Sequence, residues 1–190
     1  MAPDTISTIL QSREPKTLAG AHFHPAAVLV PIQERADGIH LILTQRAEGL
    51  SSHSGQVAFP GGKVEPKDPG PLEAALRESQ EEVGIDPRHV RILGQLDQVT
   101  AASSFLVTPF VGVIPFPYEF SLNPKETAAV FSVPVSALLD PNCMSVEPRP
   151  LDPRGPTYHF QYQGWDIWGA TAKMIKQLLE LAYGYKAKDP

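Results

Sequence analysis

The run "PLEAALRESQEEVGI" (Pro71 to Ile85) restricts what this chain can fold into more than any other stretch. Pro71 has the fixed φ that suits the first turn of a helix, and Gly84 suits a left-handed stop, so a helix is predicted from Pro71 to Val83. At 3.6 residues per turn, Leu72, Ala75, Leu76, Ser79 and Val83 share one face. Glu78, Glu81 and Glu82 fall within an arc of about 100° beside it. Such a helix has to lie on a second layer while holding a row of carboxylates at the border of its packed face. Arg77 stands one turn before Glu81 and one turn after Glu73, which suits ion pairs on either side.

The acidic row has a physical cost. Carboxylates about 6 Å apart repel by roughly 0.7 kcal/mol in water and by about 3 kcal/mol at an effective dielectric of 20. A solvated helix face is the plain alternative, but beside a buried surface one guanidinium cannot offset three acids. A hard divalent cation, Mg²⁺ or Mn²⁺, prefers carboxylate oxygens and removes the repulsion. Just before the helix, Phe59-Pro60-Gly61-Gly62 reads as a tight, side-chain-poor turn. It lets backbone approach a ligand or metal closely, with a carbonyl at Gly61 as a further oxygen.

Around this helix the pattern is mostly strand. "AAVLVPI" (Ala26 to Ile32) and "IHLILTQR" (Ile39 to Arg46) read as strands joined by a turn containing Asp37-Gly38. "QVAF" is a short strand, and further strands are expected at "VRILGQLDQV", "FLVTPFVGVI", "TYHFQYQ" and "WDIWGA". Helices are expected at "TISTILQSRE" and, from apolar spacing, at "TAKMIKQLLELAYG". Helices at the start, middle and end of a strand-rich chain predict an α+β fold with a mixed sheet flanked by helices. Half of the 20 prolines fall between Pro109 and Pro156, and the proline-dense stretch Asp140 to Pro156 reads as a rigid surface loop.

With 190 residues and 42% hydrophobic content, the expectation is one domain over residues 26–185, preceded by an N-terminal helix or extension over 1–25. Net charge is −5, which implies no general attraction to nucleic acid or to an anionic membrane. The only cysteine, Cys143, excludes an internal disulfide. The opening "MAPDTISTIL" lacks the basic start and apolar run of a signal peptide, and no apolar run approaches bilayer length, so a cytoplasmic protein is expected.

The stretch from Gly62 to Ile85 resembles the Nudix box, Gly-x5-Glu-x7-Arg-Glu-U-x-Glu-Glu-x-Gly-U, where U is a bulky aliphatic residue. Gly62, Arg77, Glu78, Glu81, Glu82, Gly84 and Ile85 match it. Asp68 stands at the first Glu position with one extra residue before Arg77, and Ser79 replaces an aliphatic. That insertion is similar to the coenzyme A diphosphatase branch, whose loop "GGKVEPKD" follows with Glu65 in place of an Asp. The branch's upstream signature is matched in "ILTQRAEGLSSHSGQVAFPGG" by Leu43, Thr44, Arg46, Gly55, Phe59, Pro60, Gly61 and Gly62. Ser51 stands where that signature has a second Arg, and Ala47 where it has Ser.

The resemblance implies an α/β/α sandwich and a metal-dependent hydrolase. Its substrate would be a nucleoside diphosphate derivative: coenzyme A or its thioesters, or else a dinucleotide or nucleotide sugar. A non-catalytic nucleotide sensor is the remaining alternative, and a homodimer is compatible with the family. Glu78 and Glu82 are the expected metal ligands, with Glu81 as ligand or base and Gly61 as a backbone ligand. Glu126, in "NPKE", is a candidate base or further ligand, or else a solvated loop acid. Arg77 is expected to orient Glu81 or Asp68. Arg46, His53 and Gly62 are candidate substrate contacts, although Arg46 and His53 also fit ordinary surface positions. Trp165 and Trp168 are expected to be packing residues.

Overall fold

The computed structural model describes residues 1–18, 22–47, 55–101, 104–149, 152 and 155–186. Its centre is a mixed sheet built on β1 (His24–Arg35) and β2 (Gly38–Arg46), an antiparallel pair that turns at Ala36 and Asp37. Both strands are buried on two faces. Val30 and Ile32 of β1, with Leu41 and Leu43 of β2, point into the larger core, while Leu29 and Ile42 join a second one on the opposite side. The period-2 alternation of a strand sends successive side chains to opposite faces, which is why both strands read as nearly continuous apolar runs.

β7 (Phe105–Val113) runs parallel to β1, and β5 (Arg91–Gln95) and β6 (Val99–Thr100) pair antiparallel with β7. On the other side β2 pairs with β3 (Val57–Ala58) and β8 (Thr127–Pro134). β4 (Gly61–Lys63) pairs antiparallel with the first residues of β1. Helix α2 (Pro71–Val83) lies on β1 and β4, while α1 (Pro3–Gln11) packs on β5 and against α4 (Gly169–Tyr183). Helices therefore cover both faces of the mixed sheet, the flanked arrangement that the helix and strand pattern predicts and the sandwich that the resemblance implies.

A second, three-stranded sheet has the order β11 (Trp165–Trp168), β10 (Thr157–Tyr162), β9 (Met144–Glu147). β9 corrects the expectation of a loop over Asp140 to Pro156. Its four residues contain no proline and form an edge strand, with Met144, its first residue, and the preceding Cys143 buried. Prolines flank that strand without interrupting its ladder. The short helix α3 (Val135–Leu138) and β8 also lie outside the strands and helices predicted from sequence. Among the described residues, no helix is long and apolar enough to cross a membrane.

Phe160 of β10 is fully buried in the larger core, together with Ile175 and Leu178 of α4, and so joins the small sheet to the rest of the fold. Phe160→Ala is expected to cost about 3–5 kcal/mol of unfolding free energy in a urea titration.

Candidate active site

The helix α2 forms where the sequence places it, with Gly84 at φ +73° as its left-handed stop. Gly84 N–H donates to Gln80 O (3.0 Å) and Ile85 N–H to Ser79 O (3.3 Å), so the terminal carbonyls find partners as a glycine stop allows. Ala75, Ser79 and Val83 are buried as expected, while Leu72 and Leu76 are half-buried and Ala74 joins the packed face. Glu82 is also buried, at 6% exposure.

The close approach under this helix comes from two glycines. A tight turn is predicted at Phe59–Gly62, whereas Gly61 and Gly62 begin β4, opposite Val28 and Ala27 of β1. A Cβ on Gly61, at φ +149°, would sit 2.3 Å from Ala27 O, and one on Gly62 would sit 2.5 Å from the carboxyl carbon of Glu78. Any side chain at Gly62 would occupy the space that the Glu78 carboxylate needs.

Arg77 holds the outer acids in a fork. Its Nε and Nη2 donate to Asp68 Oδ1 (2.8 Å) and Oδ2 (3.0 Å), its Nη1 to Glu78 Oε1 (2.8 Å) and Glu81 Oε2 (3.2 Å), and its Nη2 also to Lys63 O (3.2 Å). The bidentate contact from Arg77, helped by the Glu65 N–H, lowers the Asp68 carboxyl to about 2. The Arg77 guanidinium is pushed further up by the same acids. Arg77 thus contacts both Asp68 and Glu81, the two acids that the sequence expectation names.

Glu82 has fewer positive partners. Gly61 N–H donates to its Oε2 (3.1 Å), and Arg46 Nη1 stands 3.8 Å from its Oε1. Burial outweighs both and raises the Glu82 carboxyl to about 7, with the charges of Glu78 and Glu126 acting in the same direction. Burial also raises Glu78, against the opposing hydrogen bond from Arg77. A register shift between Gln45 and Arg46 carries Arg46 to the end of β2, and its buried Nε has no hydrogen-bond partner among the described residues.

The loop before β8 is tied to the end of α2. Ser121 N–H donates to Val83 O (3.0 Å) and Asn123 N–H to Glu82 O (2.9 Å), filling helix carbonyls that otherwise lack partners. Asn123 Nδ2 then donates to Glu126 Oε1 (3.3 Å), while Ala47 N–H donates to Glu126 O (2.9 Å). Glu126 is thereby held half-buried near enough for its charge to act on Glu78 and Glu82. A pocket of about 510 Å³ opens beside these residues. Arg46, Gly61, Gly62, Val57, Phe105, Trp168 and Met174 are among the residues that line it. Its size falls within the range of small-molecule sites.

The NUDIX domain matches residues 22–154. The chain belongs to the NUDIX family. Its relatives include the Nudix hydrolase NudL of Photorhabdus laumondii subsp. laumondii, 42% identical over 169 residues that cover 87% of this chain and 88% of that protein. NudL of Yersinia enterocolitica serotype O:8 is 40% identical over 176 residues, covering 90% and 87%. Among solved structures, the Nudix hydrolase RenU from M. smegmatis aligns with a TM-score of 0.58 at 19% identity, covering 88% of this chain and 90% of that one. A C. elegans Ap4A hydrolase in a binary complex aligns at 0.52 and 21%, covering 58% and 80%. At these identities the structural likenesses show the fold.

Within this Nudix fold, Glu78, Glu82, Arg77, Gly61, Gly62, Arg46 and Glu126 come together around one end of α2. Glu81 is half exposed and forms the ion pair with Arg77 that helical spacing suits. Among the described residues no three acidic, His or Cys groups converge as a metal cage, because Arg77 takes up carboxylate oxygens of Glu81 and Glu78. Gly61 enters through its N–H, donated to Glu82. His53 and Ser51 lie outside the described residues. Asn123 is a positioning residue that sequence reading missed, although the Asn-Pro pair before Glu126 is a turn signal. Trp168, at 37% exposure, is not the packing residue expected, whereas Trp165 is, stacked on Phe131 with centroids 4.3 Å apart.

The donor set nevertheless suits a hard divalent cation. The oxygens of Glu78 and Glu82 are desolvated beside a glycine backbone, and their burial is incompletely offset by positive groups. The same burial predicts a pH effect on the metal-free protein. An acid with a folded pKa of about 7, above its ordinary 4.5, contributes stability that is present below pH 4.5 and lost as pH rises through 7. The loss is on the order of 3 kcal/mol. In chelator, Glu82→Gln is expected to gain stability relative to the parent protein between pH 5 and pH 8, measured by urea unfolding at each pH. Parallel pH profiles for the two proteins would refute burial as the cause.

Proposed function

We propose that this chain hydrolyses a diphosphate linkage in a nucleoside diphosphate derivative, using Mg²⁺ or Mn²⁺ held by Glu78 and Glu82. The observation that carries this reading is the pair of desolvated carboxylates one turn apart, facing Gly61 and Gly62, which themselves line a pocket. A bound divalent cation supplies charge neutralisation of the diphosphate and a more acidic water. Gly62 keeps space open at the Glu78 carboxylate, and Arg46 offers its guanidinium to a phosphate oxygen. Arg77 fixes the rotamer of Glu78 from behind and ties it to Asp68. Glu126 is the acid best supported as base or further ligand, since Asn123 aims it toward Glu78 and Glu82. Glu81 can take either role only by leaving Arg77. Keeping three mutually repelling acids supports turnover over a role as a pure nucleotide sensor.

Coenzyme A and its thioesters, giving adenosine 3′,5′-bisphosphate and phosphopantetheine, are the narrower reading supported by the signature from Leu43 to Gly62. Ser51, in place of the signature's second Arg, gives equal standing to dinucleotides and nucleotide sugars.

Glu78→Gln and Glu82→Gln are each expected to lower turnover by about a hundredfold or more, roughly 3 kcal/mol of transition-state stabilisation. Chelator should abolish activity in the parent protein. Mg²⁺ or Mn²⁺ should raise its melting temperature, and each variant should lose that rise. Near-parental rates together with a retained metal shift would defeat the metal assignment. Product identification after incubation with coenzyme A, a dinucleotide and a nucleotide sugar will name the substrate, and inertness across that panel despite metal binding would favour a sensor.

A further inference from the structure

Trp168 is poorly placed for a core residue and well placed for a ligand. It ends β11, and Gly169, at φ +66°, starts α4 immediately after it, so the backbone carrying the indole is fixed between a strand and a helix. Beneath the indole lies the His159 ring, with centroids 6.2 Å apart and planes 14° from parallel. His159 is itself held by Asp166, 3.0 Å from its Nδ1. The indole is thus supported from behind yet remains 37% exposed, lining the pocket that also reaches Arg46, Gly61 and Gly62. The other aromatic groups nearby are engaged: Trp165 stacks on Phe131, and the Phe105 ring meets Lys63 at 5.5 Å and His24 at 5.7 Å.

The same pocket is lined by apolar Val57 and Met174 and by polar Arg149, Asp152 and Lys173, so Trp168 offers an apolar face within a mixed lining. A planar aromatic base presents a weakly hydrated face that stacks on indole, and its edge carries donors and acceptors that the polar lining groups can meet. Trp168 and Met174 lie beyond residues 22–154, whereas Val57 and Phe105 lie within them, so only part of this lining comes from the segment that matches the family.

Resting on the diphosphatase reading above, we propose that this pocket seats the nucleobase of the substrate, with Trp168 as its stacking platform. The chain has two tryptophans, so a Trp165→Phe variant makes Trp168 the sole indole emitter. In Mg²⁺, titration of that variant with AMP, GMP, CMP and UMP is expected to quench its fluorescence saturably for at least one nucleotide, with no saturable change for ribose 5-phosphate. The same quenching in a Glu78→Gln background separates base binding from catalysis, so that failure of the diphosphatase reading leaves this test intact. An equal response to ribose 5-phosphate, a response to pantetheine alone, or no response to any nucleotide overturns the proposal. As an independent measure, Trp168→Ala is expected to raise KM for the nucleotide substrate about tenfold or more while affecting kcat less, and Trp168→Phe to recover most of the loss. An unchanged KM in Trp168→Ala overturns it equally.

Discussion

The approach of α2 to the start of β1 is possible because β4 carries no side chain at Gly61 or Gly62. A Cβ at either position would meet backbone or a carboxylate well inside contact distance. The helix can therefore settle on the sheet with Glu82 inside and Glu78 at the margin, instead of turning both into water. The orientation of Arg46, the fork of Arg77 and the seat of Glu126 all follow from that one closeness between helix and strand.

The arrangement opposes stability in one place and supplies it in another. Asp68 and Arg77 form a bidentate pair that lowers the acid and raises the base, which favours the charged forms of both. Glu82 behaves in the opposite sense, since little of the charge around it is positive and water is largely excluded. Stabilising pairs thus surround a destabilised carboxylate, a pattern met where a fold holds a group for chemistry rather than for packing. The glycine stop at Gly84 and the hydrogen bonds from Ser121 and Asn123 satisfy the carbonyls at the same end of the helix, so the strain stays confined to side chains.

Much of this was readable from sequence for a physical reason. The Pro71-to-Gly84 helix is fixed by local signals, a proline in its first turn and a left-handed glycine at its end, so its bounds could be predicted closely. The paired strands around Asp37-Gly38 carry their own turn chemistry and apolar alternation. Less legible were elements whose identity depends on distant partners. β4 is three residues long and exists only because β1 runs alongside it, and β9 forms a ladder with β10 despite prolines close by. Side-chain direction was the least legible quantity. Helical spacing places Glu81 beside Glu78 and Glu82 and within reach of Arg77, but only the fold reveals that Arg77 engages Glu78 as well, or that Trp165 and Trp168, three residues apart, meet different surroundings.

The three-stranded sheet has a consequence for how such a molecule can diversify. It is joined to the rest through Phe160 and α4, and it contributes the far wall of the pocket, while the carboxylates belong to a helix on another layer. Changes to residues on that wall therefore need not disturb the glycine strand or the acids above it. On the proposed reading, selectivity and reactivity belong to different layers of the architecture, leaving one free to drift while the other is held constant.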